Sequence, residues 1–239
     1  MKTLLIFYLL ILMASASIAQ KGNQTINNFT KKITVTLSAK YLLYLPKEYS
    51  TNGEYFPLVL FLHGAGERGS DLEKIKIHGL PKLINEGKEF PFIVVSPQCP
   101  ENKIWDIEIL SALLDEIEAN YRVDKNRIYV TGLSMGGNGT WSIALAEPER
   151  FAAIAPVCGW SLPSDACLLK EIAIWVFHGA KDNVIPLRCS EVMVERLKSC
   201  GCDIKFTIYP DANHNSWTET YNNEELYKWF LEQFLKNRK

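Results

Sequence analysis

Between residues 56 and 210 the chain alternates brief apolar runs with longer stretches whose apolar residues recur at helical spacing, and few architectures accept that alternation. The runs are Leu58–Leu62, Phe92–Ser96, Arg127–Thr131, Ala152–Val157, Ile174–His178 and Lys205–Tyr209. Each is short and mostly apolar, as expected of a strand buried on both faces. Between them, Leu110, Leu113, Leu114 and Ile117 fall three and four apart in Ile107–Tyr121, and Glu191–Cys200 and Glu224–Lys236 behave similarly. Strands alternating with helices specify an α/β fold: a mostly parallel central sheet with helices on both faces. Ahead of these elements, Ile33–Ser38 and Tyr41–Pro46 read as an antiparallel N-terminal strand pair. No repeat, low-complexity tract or linker interrupts residues 33–239, which we read as a single domain after a loose, polar lead over 20–32.

The first nineteen residues have a composition of their own. Lys2 gives a one-charge start, Leu4–Met13 is nearly all apolar, and small residues stand at the −3 and −1 positions of a cut after Ala19. This is the pattern of a cleaved secretory signal, and a run of this length is too short for the roughly 20 residues that span a bilayer. The expected product is secreted or periplasmic, with no membrane association after cleavage. Export allows the six cysteines to pair. Cys158 and Cys167 flank one expected loop, and Cys189 precedes a helix that ends near Cys200 and Cys202. Pairing within either set is one expectation and buried free thiols the other. Cys200-Gly201-Cys202 lacks the companion ligands of a zinc site. With 26 basic against 27 acidic residues, nothing marks a nucleic-acid partner. Oligomeric state leaves no trace in the sequence. Asn23, Asn28 and Asn138 each open an Asn-x-Ser/Thr triplet, the last on a helix expected to be buried.

Chemistry concentrates at Arg127-Ile128-Tyr129-Val130-Thr131-Gly132-Leu133-Ser134-Met135-Gly136-Gly137. A strand enters Gly-x-Ser-x-Gly and a helix leaves it. In so tight a turn, side chains two residues either side of the serine would strike neighbouring backbone, so glycines stand there and Ser134 projects as a nucleophile. A serine needs a general base. Of the four histidines, His63 and His178 each precede glycine at a strand end and read as turn residues, and His78 reads as a surface residue. His214 lies in a polar loop after the last strand, at the edge where parallel sheets carry their active groups. Asp182, just after the strand Ile174–His178, is the expected carboxylate partner, ahead of Asp211 and Asp203. The oxyanion donors are expected at the backbone N–H of Met135, next to the nucleophile, and of Ala65, in His63-Gly64-Ala65-Gly66-Glu67-Arg68-Gly69. That glycine-rich loop is not a phosphate loop, because no Lys-Ser/Thr pair follows it. Trp105, Trp160 and Trp217 lie in loops near strand ends and are expected either to form a rim for a sugar ring or phenolic group or to fill the core.

These segments resemble the α/β-hydrolase superfamily, and within it the small secreted esterases: the putative-esterase, dienelactone-hydrolase-like, prolyl-oligopeptidase-like and phospholipase/carboxylesterase group. The likeness runs from about Tyr41 to Phe234 and rests on Phe61–Asp71, Phe92–Pro97, Arg127–Trp141, Phe151–Gly159, Val176–Pro186 and Lys205–Trp217. It implies an α/β-hydrolase fold and hydrolysis of carboxylic esters through an acyl-enzyme, with no metal or cofactor. The triad would be Ser134, Asp182 and His214, acting on a small-molecule or oligosaccharide ester such as a feruloyl or acetyl ester. Where many relatives have glycine before the histidine, this chain has Asn213, which tolerates unusual backbone angles. A prolyl-oligopeptidase-like peptidase is the alternative enzyme, although the chain is short for the gating domain such enzymes carry. A non-catalytic carbohydrate-binding relative is the alternative of another class.

Overall fold

The computed structural model describes residues 24, 26–50 and 53–235. The expected signal over 1–19 lies outside them. The chain divides into two compact units, Met1–Thr36 and Leu37–Lys239. The described residues of the first carry no helix or strand.

The second unit holds seven strands: β1 (Tyr41–Tyr44), β2 (Phe56–Leu62), β3 (Ile93–Pro97), β4 (Val123–Leu133), β5 (Ala153–Val157), β6 (Ala173–Gly179) and β7 (Ile204–Tyr209). They form one sheet in the order β1-β3-β2-β4-β5-β6-β7. Only β1 runs antiparallel, pairing Tyr41 with Pro97 through Tyr44 with Val94; every other neighbouring pair is parallel. The six apolar runs thus become β2 to β7. The antiparallel strand is present, but its partner is β3, and residues 33–38 form no strand. The alternation of Ile33, Val35 and Leu37 had suggested one. These residues stay 71%, 69% and 39% exposed, so no burial offsets the entropy of ordering them.

Side chains alternate across each strand, so both faces of the sheet need cover. Leu58, Leu60 and Leu62 face one core, with Leu110, Leu114 and Ile117 of α2 (Ile107–Asn120), Trp141 and Ile143 of α3 (Met135–Ala146), and Met193 and Leu197 of α4 (Arg188–Ser199). Val59 and Phe61 face the other, with Leu80 of α1 (Gly79–Asn85), Tyr221 of α5 (Trp217–Asn222), and Leu226 and Phe230 of α6 (Glu224–Leu231). Asp106 caps α2 by accepting from the N–H groups of Glu108 and Ile109. The last helix ends at Leu231 rather than continuing to Lys236. Beyond it the Leu235 N–H reaches the Asn126 carbonyl and the Gln233 carbonyl accepts from the Tyr129 hydroxyl, bonds a continued helix would forgo.

Among the described residues one disulfide joins Cys167 to Cys200, with Cα atoms 5.4 Å apart, while Cys99, Cys158 and Cys189 are free thiols. The bond crosses between the two expected sets instead of closing either. Cys167 lies in the short 3-10 segment Pro163–Leu169, which packs on α4 and so meets the C-terminal end of that helix.

Candidate active site

At the C-terminal end of β4 the chain reverses into α3 through Ser134, whose φ of 53° and ψ of −116° are unusual for a residue with a side chain. The reversal needs bare backbone around it. A Cβ on Gly136 would lie 1.9 Å from the Leu62 carbonyl oxygen, and one on Gly132 2.5 Å from the Gly136 carbonyl oxygen. The glycines therefore let the first turn of α3 press against the end of β2, where the loop of Ala65 begins.

Ser134 Oγ lies 2.9 Å from His214 Nε2, and His214 Nδ1 lies 2.7 Å from Asp182 Oδ2. A carboxylate only accepts, so Nδ1 carries the imidazole proton and Nε2 is left to accept from the serine hydroxyl. Asp182 Oδ1 accepts from the N–H groups of Val184 and Ile185, which fixes the carboxylate with its side chain fully buried. Asn213, at the position where glycine is common, has no left-handed backbone; its Oδ1 accepts from the Asn215 N–H and closes a turn around His214. Asp211 is on the surface, paired with Lys181.

Met135 opens α3 and Ala65 opens the 3-10 turn Ala65–Glu67. The N–H of a first helical residue has no carbonyl partner inside its own helix. The Ala65 loop is braced from β3 and beyond. Cys99 N–H donates to His63 Nε2, Gln98 Nε2 donates to the Glu67 and Asp71 carbonyls, and Trp105 Nε1 donates to the His63 carbonyl.

The three tryptophans have separate places. Trp105 is buried, its ring against His63. Trp160 is 48% exposed, and its backbone N–H is held by Asn138 Oδ1 at 2.7 Å. Trp217 packs edge-on to His214, with ring centroids 5.4 Å apart, and contacts His78 on its other flank. Trp105 and Trp160 line one groove next to Met135, and Trp217 lines another beside His78.

Three residues take places the sequence did not assign them. His178, read as a turn residue, is wholly buried beneath Asp182. Its Nε2 lies 2.8 Å from the Ile185 carbonyl and 3.2 Å from Asp182 Oδ2, both acceptors, so Nε2 carries the proton and Nδ1 accepts from Ser190 Oγ. The four-residue spacing of His178 and Asp182 across a strand end recurs in His63 and Glu67, so the sequence held no signal that singled His178 out. His78 is not a simple surface residue: it is half-buried, 4.0 Å from Glu67 Oε1. Burial raises the carboxyl of Glu67 above its ordinary range. Cys158, at a φ of 40° just after β5, brings its thiol into the same cluster as Asp182 and His214. Among the described residues these three offer metal-ligating atoms within 4.8 Å of one another. Burial pushes the Cys158 thiol up to about 12. The His214 and Asp182 atoms already bond one another. Two members of the cluster thus belong to the line that runs from Ser134 through His214 to Asp182.

The model of the phospholipase/carboxylesterase family matches residues 101–227. A bifunctional acetylxylan esterase/xylanase of Neocallimastix patriciarum is 26% identical over 194 residues, covering 78% of this chain and 27% of its own length. A protein named probable feruloyl esterase C in Aspergillus niger is 24% identical over 212 residues, covering 83% and 74%. The crystal structure of a thermostable esterase superposes with a TM-score of 0.69 at 35% identity, over 81% of this chain and 59% of that one. The chain thus spans about a quarter of the first of these relatives and under two thirds of the thermostable esterase. Matched over more than half its length, with the mostly parallel sheet and the Gly-x-Ser-x-Gly turn in place, this chain belongs to the phospholipase/carboxylesterase family of α/β-hydrolases.

Proposed function

We propose that the protein is an exported serine esterase in which Ser134 is the nucleophile, His214 the general base and Asp182 the residue that orients the imidazole. The observation that carries this reading is the continuous hydrogen-bonded line from Ser134 Oγ through His214 to Asp182, at 2.9 and 2.7 Å. Ser134 Oγ attacks the ester carbonyl as His214 Nε2 takes its proton, and the fixed Asp182 stabilises the imidazolium that forms. The N–H groups of Ala65 and Met135 receive the oxyanion. His214 then protonates the departing alcohol, and water, deprotonated by the same nitrogen, releases the acid from Ser134.

The substrate we propose is a carbohydrate-bound ester, feruloyl or acetyl; the names of the two fungal relatives support this. Export is supported by the leader composition and by the Cys167–Cys200 disulfide, a bond that persists in oxidising compartments. Replacing Ser134 by alanine should lower kcat/KM on a simple ester by about a thousandfold or more. Retention of more than about a tenth of the wild-type rate, in a preparation free of other esterases, would remove Ser134 from its role.

A further inference from the structure

We infer that the groove leading away from Met135 beneath Trp160 takes a hydroxylated aromatic ring carried by the substrate ester; this rests on the esterase reading above. The groove has a volume of about 370 Å³, within the roughly 300–1,000 Å³ typical of small-ligand sites. Its lining includes Met135, the residue next to Ser134, which sets the groove beside the proposed nucleophile. Its walls are Ile104, Trp105, Met135, Leu145, Trp160 and Leu162. Three of these stay open to solvent, Ile104 at 76%, Trp160 at 48% and Leu162 at 68%, so apolar surface there is left for a ligand to cover. The wall is fixed before anything binds. Asn138 holds the Trp160 backbone from the nucleophile helix, and the disulfide at Cys167 anchors the far end of the same segment.

The polar atoms decide what kind of ring fits. Asn138 Oδ1 is engaged by Trp160, which leaves Asn138 Nδ2, Ser142, Ser161 and Asp165 as the polar groups of the lining. A sugar ring carries hydroxyls around its whole edge, and those that face Ile104, Leu145, Leu162 and Met135 would lack a partner, at a cost for each. An alkyl chain would use none of these polar groups, and Asp165, exposed with Oδ2 accepting from Ser164 Oγ, would stay hydrated beside it. A phenol presents flat apolar faces to Trp160 and one hydroxyl that Asp165 can accept. Of the two ester types proposed above, the groove therefore favours the phenolic acid ester over the acetyl ester.

The test measures kcat/KM of the full chain on methyl 4-hydroxycinnamate, methyl cinnamate, 4-hydroxyphenyl acetate and methyl butanoate, with Trp160→Ala, Trp160→Phe, Asp165→Ala and Ser134→Ala. Trp160→Ala should lose about tenfold or more on the two cinnamates, if the acid carries the ring, or on 4-hydroxyphenyl acetate, if the alcohol does. It should stay within about twofold on methyl butanoate, and Trp160→Phe should restore most of the loss. Asp165→Ala should lose several-fold on the hydroxylated ester relative to its unsubstituted counterpart. An equal loss on all four esters, or no loss on any aromatic one, overturns the groove assignment. A wild type that hydrolyses methyl butanoate but no aromatic ester overturns it as well and leaves the esterase reading standing. A wild type no faster than Ser134→Ala on every ester sinks the esterase reading itself.

Discussion

His178 shows how one buried side chain sets the position of another. Its Nε2–H is shared between the Ile185 carbonyl and Asp182 Oδ2, while Ser190 holds its other nitrogen. Asp182 Oδ2 also accepts from His214, so the tilt of the carboxylate, and through it the imidazole, depends on a ring that never meets substrate. Replacing His178 by asparagine removes that support and leaves Ser190 Oγ without its partner. Because a misplacement of about 1 Å near the chemistry can cost about a hundredfold, we expect kcat to fall by about 10- to 100-fold, with KM changed less than about threefold. Kinetics normalised by titration of the reactive serine would measure this, since titration discounts misfolded protein. A kcat within about twofold of wild type would reduce His178 to a packing role. The residues on the Ser134–His214–Asp182 line were legible in the sequence because each stands in a recognisable local setting: a glycine-flanked turn, a polar loop, a strand end. His178 was not, because the histidine-glycine pair at a strand end also describes His63, and only the packed fold separates the two.

Among the elements, the segment between β5 and β6 carries Trp160 and Leu162 into the groove that Met135 also lines, and its attachment to α4 is covalent. The Cys167–Cys200 bond closes a separation of 33 residues, for which loop-closure arguments give a contribution of roughly 2–4 kcal/mol. Converting both cysteines to serine should lower Tm by roughly 5–15 °C for a chain of this size. A thermal scan of the variant beside the wild type measures it, and a shift under about 2 °C would show that packing alone holds the segment. The pairing was not legible beforehand because neighbouring cysteines along the chain suggest neighbouring partners, whereas the packing of Pro163–Leu169 on α4 is a tertiary result. The strands were legible for the converse reason: a central parallel strand such as β2 is buried on both faces, so Leu58–Leu62 reads the same in isolation. Ile33–Ser38 misled because period-two alternation promises a strand only where a sheet face exists to bury its apolar side.

For the molecule as a whole, the groups that burial shifts most clearly next to the site make stability depend on pH with opposing signs. His63 is almost fully buried. Its Nδ1–H donates to the Gly64 carbonyl at 2.6 Å and its Nε2 accepts from the Cys99 N–H at 3.0 Å, so a second proton would face a donor. Although its ring lies 3.9 Å from Glu67, this neutral tautomer forms no ion pair with it. Burial lowers His63 to about 4, from an ordinary value of 6.5. The unfolded chain therefore takes up this proton first as pH falls, and stability declines between about 6.5 and 4, by at most roughly 3 kcal/mol for this group. Glu67 acts in the other direction. Its raised carboxyl binds its proton more readily in the fold than in the unfolded chain, so its contribution is present at low pH and lost as pH rises through the folded value. Urea unfolding from pH 7.5 to 4 should thus show a decline that is shallower in His63→Gln than in wild type and steeper in Glu67→Gln. Parallel curves for all three proteins would mean that neither group titrates with the fold. Because His63 anchors Trp105 and leads into the loop of Ala65, ester hydrolysis should weaken over the same window if protonation loosens that loop before the sheet. If the loop and sheet give way together, activity and the unfolding transition should instead decline in step.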